Sequence, residues 1–118
     1  MEVTYEPRPG HLLVIAQGAF DADQCRTAVG EIGRLCAGHK LDRVLVDFRG
    51  VADVVSIADR YDLAKFLADA KLPARIAILV TLPQRFTATF EDTAINRGAT
   101  VRTTASEEEA RRFLGLAA

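Results

Sequence analysis

What this chain lacks first is an excess of charge of either sign. Fifteen Lys and Arg stand against sixteen Asp and Glu, a formal net charge of −1. With no overall basic field to collect polyanions, nucleic acid is not an expected partner. Long apolar runs are missing too. None approaches the ~20 residues needed to cross a bilayer, so no membrane-spanning segment is expected. The opening residues, Met1-Glu2-Val3-Thr4, have neither the basic start nor the apolar stretch of a signal peptide. The expectation from both is a cytoplasmic protein.

Cysteine and histidine are scarce, with two of each. Cys25 and Cys36 fall in one predicted helix, about three turns apart, on the same face but roughly 16 Å from each other. A disulfide needs Cα atoms within ~7 Å, so they do not pair, and both read as buried small hydrophobes in the apolar stripe. His11 and His39 have no metal-ligand spacing with each other or with either cysteine. Both are expected in solvent-exposed loops. The sequence has no G-x-S-x-G elbow, no P-loop and no G-x-G-x-x-G. Neither an enzyme nor a cofactor or metal site is therefore expected.

What is present is a rhythm of extended and helical segments. A length of 118 residues fits one domain, expected over 1–118, that buries roughly 65% of its unfolded surface. Glu2 to Glu6 reads as a short strand, broken by Pro7-Arg8-Pro9-Gly10, and His11 to Gln17 as a stronger one. Asp21 caps a helix with Gln24 at the capping-box position, and Gly38 is expected to stop it. Two interior glycines, Gly30 and Gly33, cost roughly 1 kcal/mol each relative to Ala, so this helix needs tertiary packing or a close backbone approach. Arg43 to Phe48 and Arg75 to Val80 are continuously apolar, as suits parallel strands covered on both faces. Between them Ile57, Tyr61, Ala64, Leu67 and Ala68 form one helix face, closed at Lys71-Leu72-Pro73. Phe86, Phe90 and Ala94 mark a third helix, Ala99 to Thr103 a last strand, and Ser106 to Glu109 a capping box opening a fourth helix.

The order is ββαβαβαβα. It predicts an α/β fold with a mostly parallel sheet of about five strands, the first antiparallel, and about four helices.

These residues resemble a known family. The stretch Leu45-Val46-Asp47-Phe48-Arg49-Gly50-Val51, followed five residues later by Ser56 and a helix, looks like the STAS domain of bacterial anti-sigma-factor antagonists. Asn96-Arg97-Gly98, Val101-Arg102 and Glu108-Glu109-Ala110 with Phe113-Leu114 are similar to a small stand-alone bacterial branch related to the lipid-carrying CRAL-TRIO domains. The resemblance implies a non-enzymatic regulatory or interaction module whose partner is a protein, such as an anti-sigma-like kinase, or a small bound ligand. It also implies an alternative, a carrier or sensor of an apolar, lipid-like ligand in a cleft beside the second and third helices, where Tyr61, Phe66, Phe86 and Phe90 would part.

Ser56 has two readings. The resemblance aligns it with the serine that a partner kinase phosphorylates, but this chain has Val55 and Ala58 where that family typically has aspartate and glycine. As a helix N-cap it would instead accept an N–H bond from the first turn, worth about 1 kcal/mol. A second set of candidates follows from the rule that ligands collect beyond the carboxyl ends of parallel strands. There Asp47 and Arg49, then Thr81, Gln84 and Arg85, then Thr103 are the expected ligand- or partner-binding groups, with turn formation and capping as their plainer role. Asp47 and the Arg49-Gly50 turn are taken to end the third strand. A homodimer through the edge left by a short first strand, or through an exposed apolar helix face, is also expected.

Overall fold

The computed structural model describes residues 1–52, 55–81 and 87–116. Glu2–Arg8 (β1) and His11–Gly18 (β2) form an antiparallel hairpin, from Glu2 opposite Gln17 to Arg8 opposite His11. Pro7 and Arg8 thus belong to the strand, and the break shrinks to Pro9-Gly10, where Gly10 takes a φ of 84° that other residues rarely adopt. The first helix, Ala22–His39 (α1), starts at Asp21, whose side chain accepts from the Gln24 N–H. It does not stop at Gly38. The left-handed C-cap is Lys40, whose N–H reaches the Cys36 carbonyl.

Arg43–Val51 (β3) pairs parallel with β2 and with Arg75–Leu79 (β4), and β4 pairs parallel with Thr100–Thr104 (β5). The strand order is β1-β2-β3-β4-β5. Here one expectation fails: Arg49 and Gly50 are strand, not turn. The register passes from Ile15 opposite Asp47 to Gln17 opposite Gly50, so β3 carries one extra residue and continues beyond Asp47 as a bulged strand.

The remaining helices are Ile57–Asp69 (α2), Thr87–Asn96 (α3) and Glu107–Leu114 (α4). The sheet has two unequal covers. Leu12, Val14, Val44, Ile76 and Val101 pack with Ile32 and Cys36 of α1, Ala64 and Leu67 of α2, and Phe90 and Ala94 of α3. On the opposite face Leu45 and Ala77 meet Ala110 and Leu114 of α4. Strands β3 and β4 are therefore apolar on both sides, which is why their sequences do not alternate.

His11 corrects another expectation. It is buried at 6% exposure beside the hairpin turn, with no hydrogen-bond partner for Nδ1 among the described residues. Burial, reinforced by Arg111 of α4, pushes its pKa below the ordinary histidine value and favours the neutral ring. His39 is exposed, but as the last residue of α1 and not in a loop. Cys36 is buried and Cys25 half-buried, and both are free thiols. Among the described residues no helix is long and apolar enough to cross a membrane.

Candidate functional site

The carboxyl ends of the strands make a rim with two different halves, one on each face of the sheet. On the α4 face the polar side chains satisfy each other. Arg49 grips Asp47 with Nε at 3.0 Å from Oδ1 and Nη2 at 2.9 Å from Oδ2, and its backbone N–H also donates to Oδ1. Glu107, at the start of α4, lies 3.7 Å from the same guanidinium. The hydrogen bonds from Arg49 hold the Asp47 carboxyl below its usual range.

The edge of this half is tied by β5. Arg102 reaches Glu91 of α3 at 3.4 Å and Glu109 of α4 at 3.3 Å, with its guanidinium 5.3 Å from the centre of the Phe113 ring. Glu109 also accepts from the Thr104 hydroxyl, and Thr104 in turn accepts the Ser106 N–H. The capping box at α4 is thus rearranged. Ser106 does accept from the Glu109 N–H at 3.1 Å, but Thr104, not Glu109, takes the N–H of the cap residue.

Of the expected binding groups, Asp47 and Arg49 are brought together and consumed by their own pairing. Thr103 is buried beneath α3, its N–H donating to Glu91 at 3.0 Å and its hydroxyl without a partner among the described residues. Thr81 is half-buried directly beyond β4. Gln84, Arg85 and Phe86 lie outside the described residues.

The other half of the rim faces α1 and α2. Ser56 is exposed, in extended conformation (φ −64°, ψ 158°), and its hydroxyl accepts from the Asp59 N–H at 3.1 Å. The cap geometry is the expected one. Ile57 follows at 69% exposure, and Tyr61, one turn on along the same face, is 44% exposed. Arg97, just past the end of α3, donates to the Tyr61 hydroxyl at 3.3 Å. Phe66 is 39% exposed, so Tyr61 and Phe66 both lie on the outside of α2, and among the described residues neither lines the apolar cavity.

An apolar cavity of about 110 Å³ does exist, under α1 and α2. Its floor is Ala16 of β2, Val46 and Phe48 of β3 and Ile78 of β4, with Ala28 and Leu63 as walls. The third helix contributes Phe90, so the cavity lies further toward α1 than the sequence suggests. Small side chains make the space: Ala16, Ala28 and Cys25 stand where larger residues would fill it. At the rim the lining ends in Phe20, Val55 and Arg60, from the segments that lead into α1 and α2 and from the first turn of α2. Burial, with Asp21 nearby, pushes the Cys25 thiol up to about 11, so at neutral pH it is a wall group and not a nucleophile. Sequence reasoning missed Phe20, Phe48 and Arg60. The available signal was the pair of alanines, one per facing element, in otherwise bulky stripes.

Comparison with known proteins locates the architecture. No family model matches the chain, and no curated protein does. Among solved structures it is similar to the anti-sigma factor antagonist SpoIIAA in its unphosphorylated form, with a TM-score of 0.55 and 11% identity, over 99% of this chain and 100% of that one. The chain has a STAS-like fold. At that identity the likeness reaches the arrangement of strands and helices. Among the described residues no group of three or more His, Cys, Asp or Glu is placed to hold a metal ion.

Proposed function

We propose that this chain is a non-catalytic regulatory module that works by binding a protein partner at the α2 end of the rim. One observation carries the reading: an exposed serine hydroxyl at the start of α2 is bordered by two exposed apolar side chains, Ile57 and Tyr61. Apolar groups this exposed next to a charged rim suit a partner surface. The STAS-like fold supports it, since SpoIIAA is an anti-sigma factor antagonist described in its unphosphorylated form. In this reading the partner is an anti-sigma-like kinase and Ser56 its phosphoacceptor.

The electrostatics of such a switch follow from position. A phosphate on Ser56 adds nearly two negative charges at a helix N-terminus, where the dipole and the first-turn N–H groups favour an anion. Asp59 opposes it, and Arg60, one residue on, offsets Asp59. The added charge also changes the character of the Ile57–Tyr61 surface beside it. Incubation with the anti-sigma kinases of the source organism should label the wild-type protein at Ser56 and leave Ser56→Ala unlabelled. Absence of label from every such kinase would remove the switch and leave Ser56 a cap.

The cavity favours a second reading, a sensor or carrier of an apolar ligand held between the sheet and its helices. Here the supporting observation is interior space lined by apolar side chains, and Ser56 plays no part beyond fixing the start of α2.

A further inference from the structure

The two edges of the sheet are finished differently. At β5, Glu91 of α3 accepts the Thr103 N–H at 3.0 Å and is itself held by Arg102 at 3.4 Å, so a side chain occupies that edge. Among the described residues no strand pairs with the outer side of β1. The hairpin decides which backbone groups point there. Across a two-residue turn the flanking pair, Arg8 and His11, is hydrogen-bonded, and the unbroken register makes Glu6, Thr4 and Glu2 the bonded positions that follow. The N–H and C=O groups of Val3 and Tyr5 therefore point outward, together with the Pro7 carbonyl. Pro7, which has no N–H to give, falls where the hairpin needs none.

The side chains of β1 add a pattern of charge. Val3 and Tyr5 pack toward the core, so Glu2, Thr4, Glu6 and Arg8 share the other, exposed face. Proline and charges on an edge ordinarily discourage pairing. Here they discriminate between registers. Of the two-fold antiparallel registers that overlap most of β1, the one with Thr4 opposite itself sets Glu2 against Glu6, and the one with Glu6 opposite itself sets two carboxylates face to face. With Tyr5 opposite itself, Glu2 meets Arg8 at both ends.

We propose that β1 is a self-association edge, through which two copies of this chain pair antiparallel about a two-fold axis at Tyr5 and join their sheets into one. Each Tyr5 N–H meets the Tyr5 carbonyl of the other copy, each Val3 N–H meets a Pro7 carbonyl, and each Glu2 faces an Arg8. Arg8 already bonds its own Glu6 at 2.9 Å, so in the pair it lies between two carboxylates. These exposed ion pairs select the register more than they hold the copies together. One strand per copy is a small interface, which sets a Kd on the order of 10–100 µM. The association uses neither Ser56 nor α2 and is independent of the partner reading above.

The test is sedimentation equilibrium on the whole chain from about 5 µM to about 1 mM, with amide hydrogen exchange at both extremes. The wild-type protein should dimerise, and the Val3 and Tyr5 amides should gain protection with concentration while that of Thr103 does not change. Glu2→Arg and Arg8→Glu should each weaken association about tenfold, since each sets like charges opposite one another at both ends. An equimolar mixture of the two variants should associate as the wild type does, because opposite charges face each other again. Thermal unfolding of the dilute variants checks that the hairpin is intact. A monomer throughout the range would overturn the proposal, as would a dimer that Tyr61→Glu abolishes and both charge variants leave intact. Protected Val3 and Tyr5 amides in a dimer indifferent to both charge variants would overturn the register.

Discussion

Asp47 shows how a polar side chain at a strand rim can look available and be spent. Its two oxygens receive three donors from Arg49 alone, one of them backbone. Its pKa is held down chiefly by those hydrogen bonds, against a smaller opposing effect of burial. A carboxyl whose folded pKa lies below its unfolded value contributes stability that is present above the unfolded pKa and disappears as pH falls through the folded one. Asp47→Asn should therefore cost about 1 kcal/mol at neutral pH, and its gap from wild type should close as the pH falls below about 4. Urea denaturation at a series of pH values checks this, and a gap that stays constant into strong acid would contradict it. The three helix caps were legible in the sequence because a cap needs only a short polar side chain and the next turn's N–H groups. The fate of Asp47 was not. It turned on whether β3 continued past it, which is settled by pairing with β2.

Single elements carry their glycines for different reasons. Gly30 in α1 has nothing within 4 Å of where a Cβ would stand, so it offers the helix no close approach. Gly33 does: its Cβ would meet Leu72 Cδ2 at 2.9 Å, the movable end of a side chain. Gly50 in β3 is tighter in kind, because a Cβ there would meet the Ala16 carbonyl oxygen at 3.2 Å and Gln17 Cγ at 3.0 Å. The bulge brings the two backbones together at that point. Gly30→Ala should raise stability by about 0.5–1 kcal/mol through helix propensity, and Gly50→Ala should lower it by about 1–3 kcal/mol through crowding against backbone. Denaturation midpoints compare them, and equal effects of the same sign would contradict the assignment. The sequence marked the α1 glycines as unusual and misread Gly50 as a turn. Glycine after a polar residue is as good a signal for a turn as for a bulge, and only the register distinguishes them.

At the scale of the molecule, the sequential order β1 to β5 places the three crossover helices on one face and leaves α4 alone on the other. The order of elements and the parallel pairing were readable from apolar runs and caps. Strand order and the cavity were not, since both depend on which small side chains face each other across elements far apart in sequence. The two faces differ in consequence. On the α4 face the rim is closed by Asp47–Arg49 and by Arg102 with Glu91 and Glu109, whereas the α1–α2 face retains apolar space. Pressurising crystals of the protein with xenon tests this asymmetry most directly, because xenon enters dry apolar cavities without needing a polar anchor. Density among Val46, Ile78 and Phe90, with none between α4 and the sheet, is the predicted result. Xenon absent from that space, or bound beneath α4, would contradict the account.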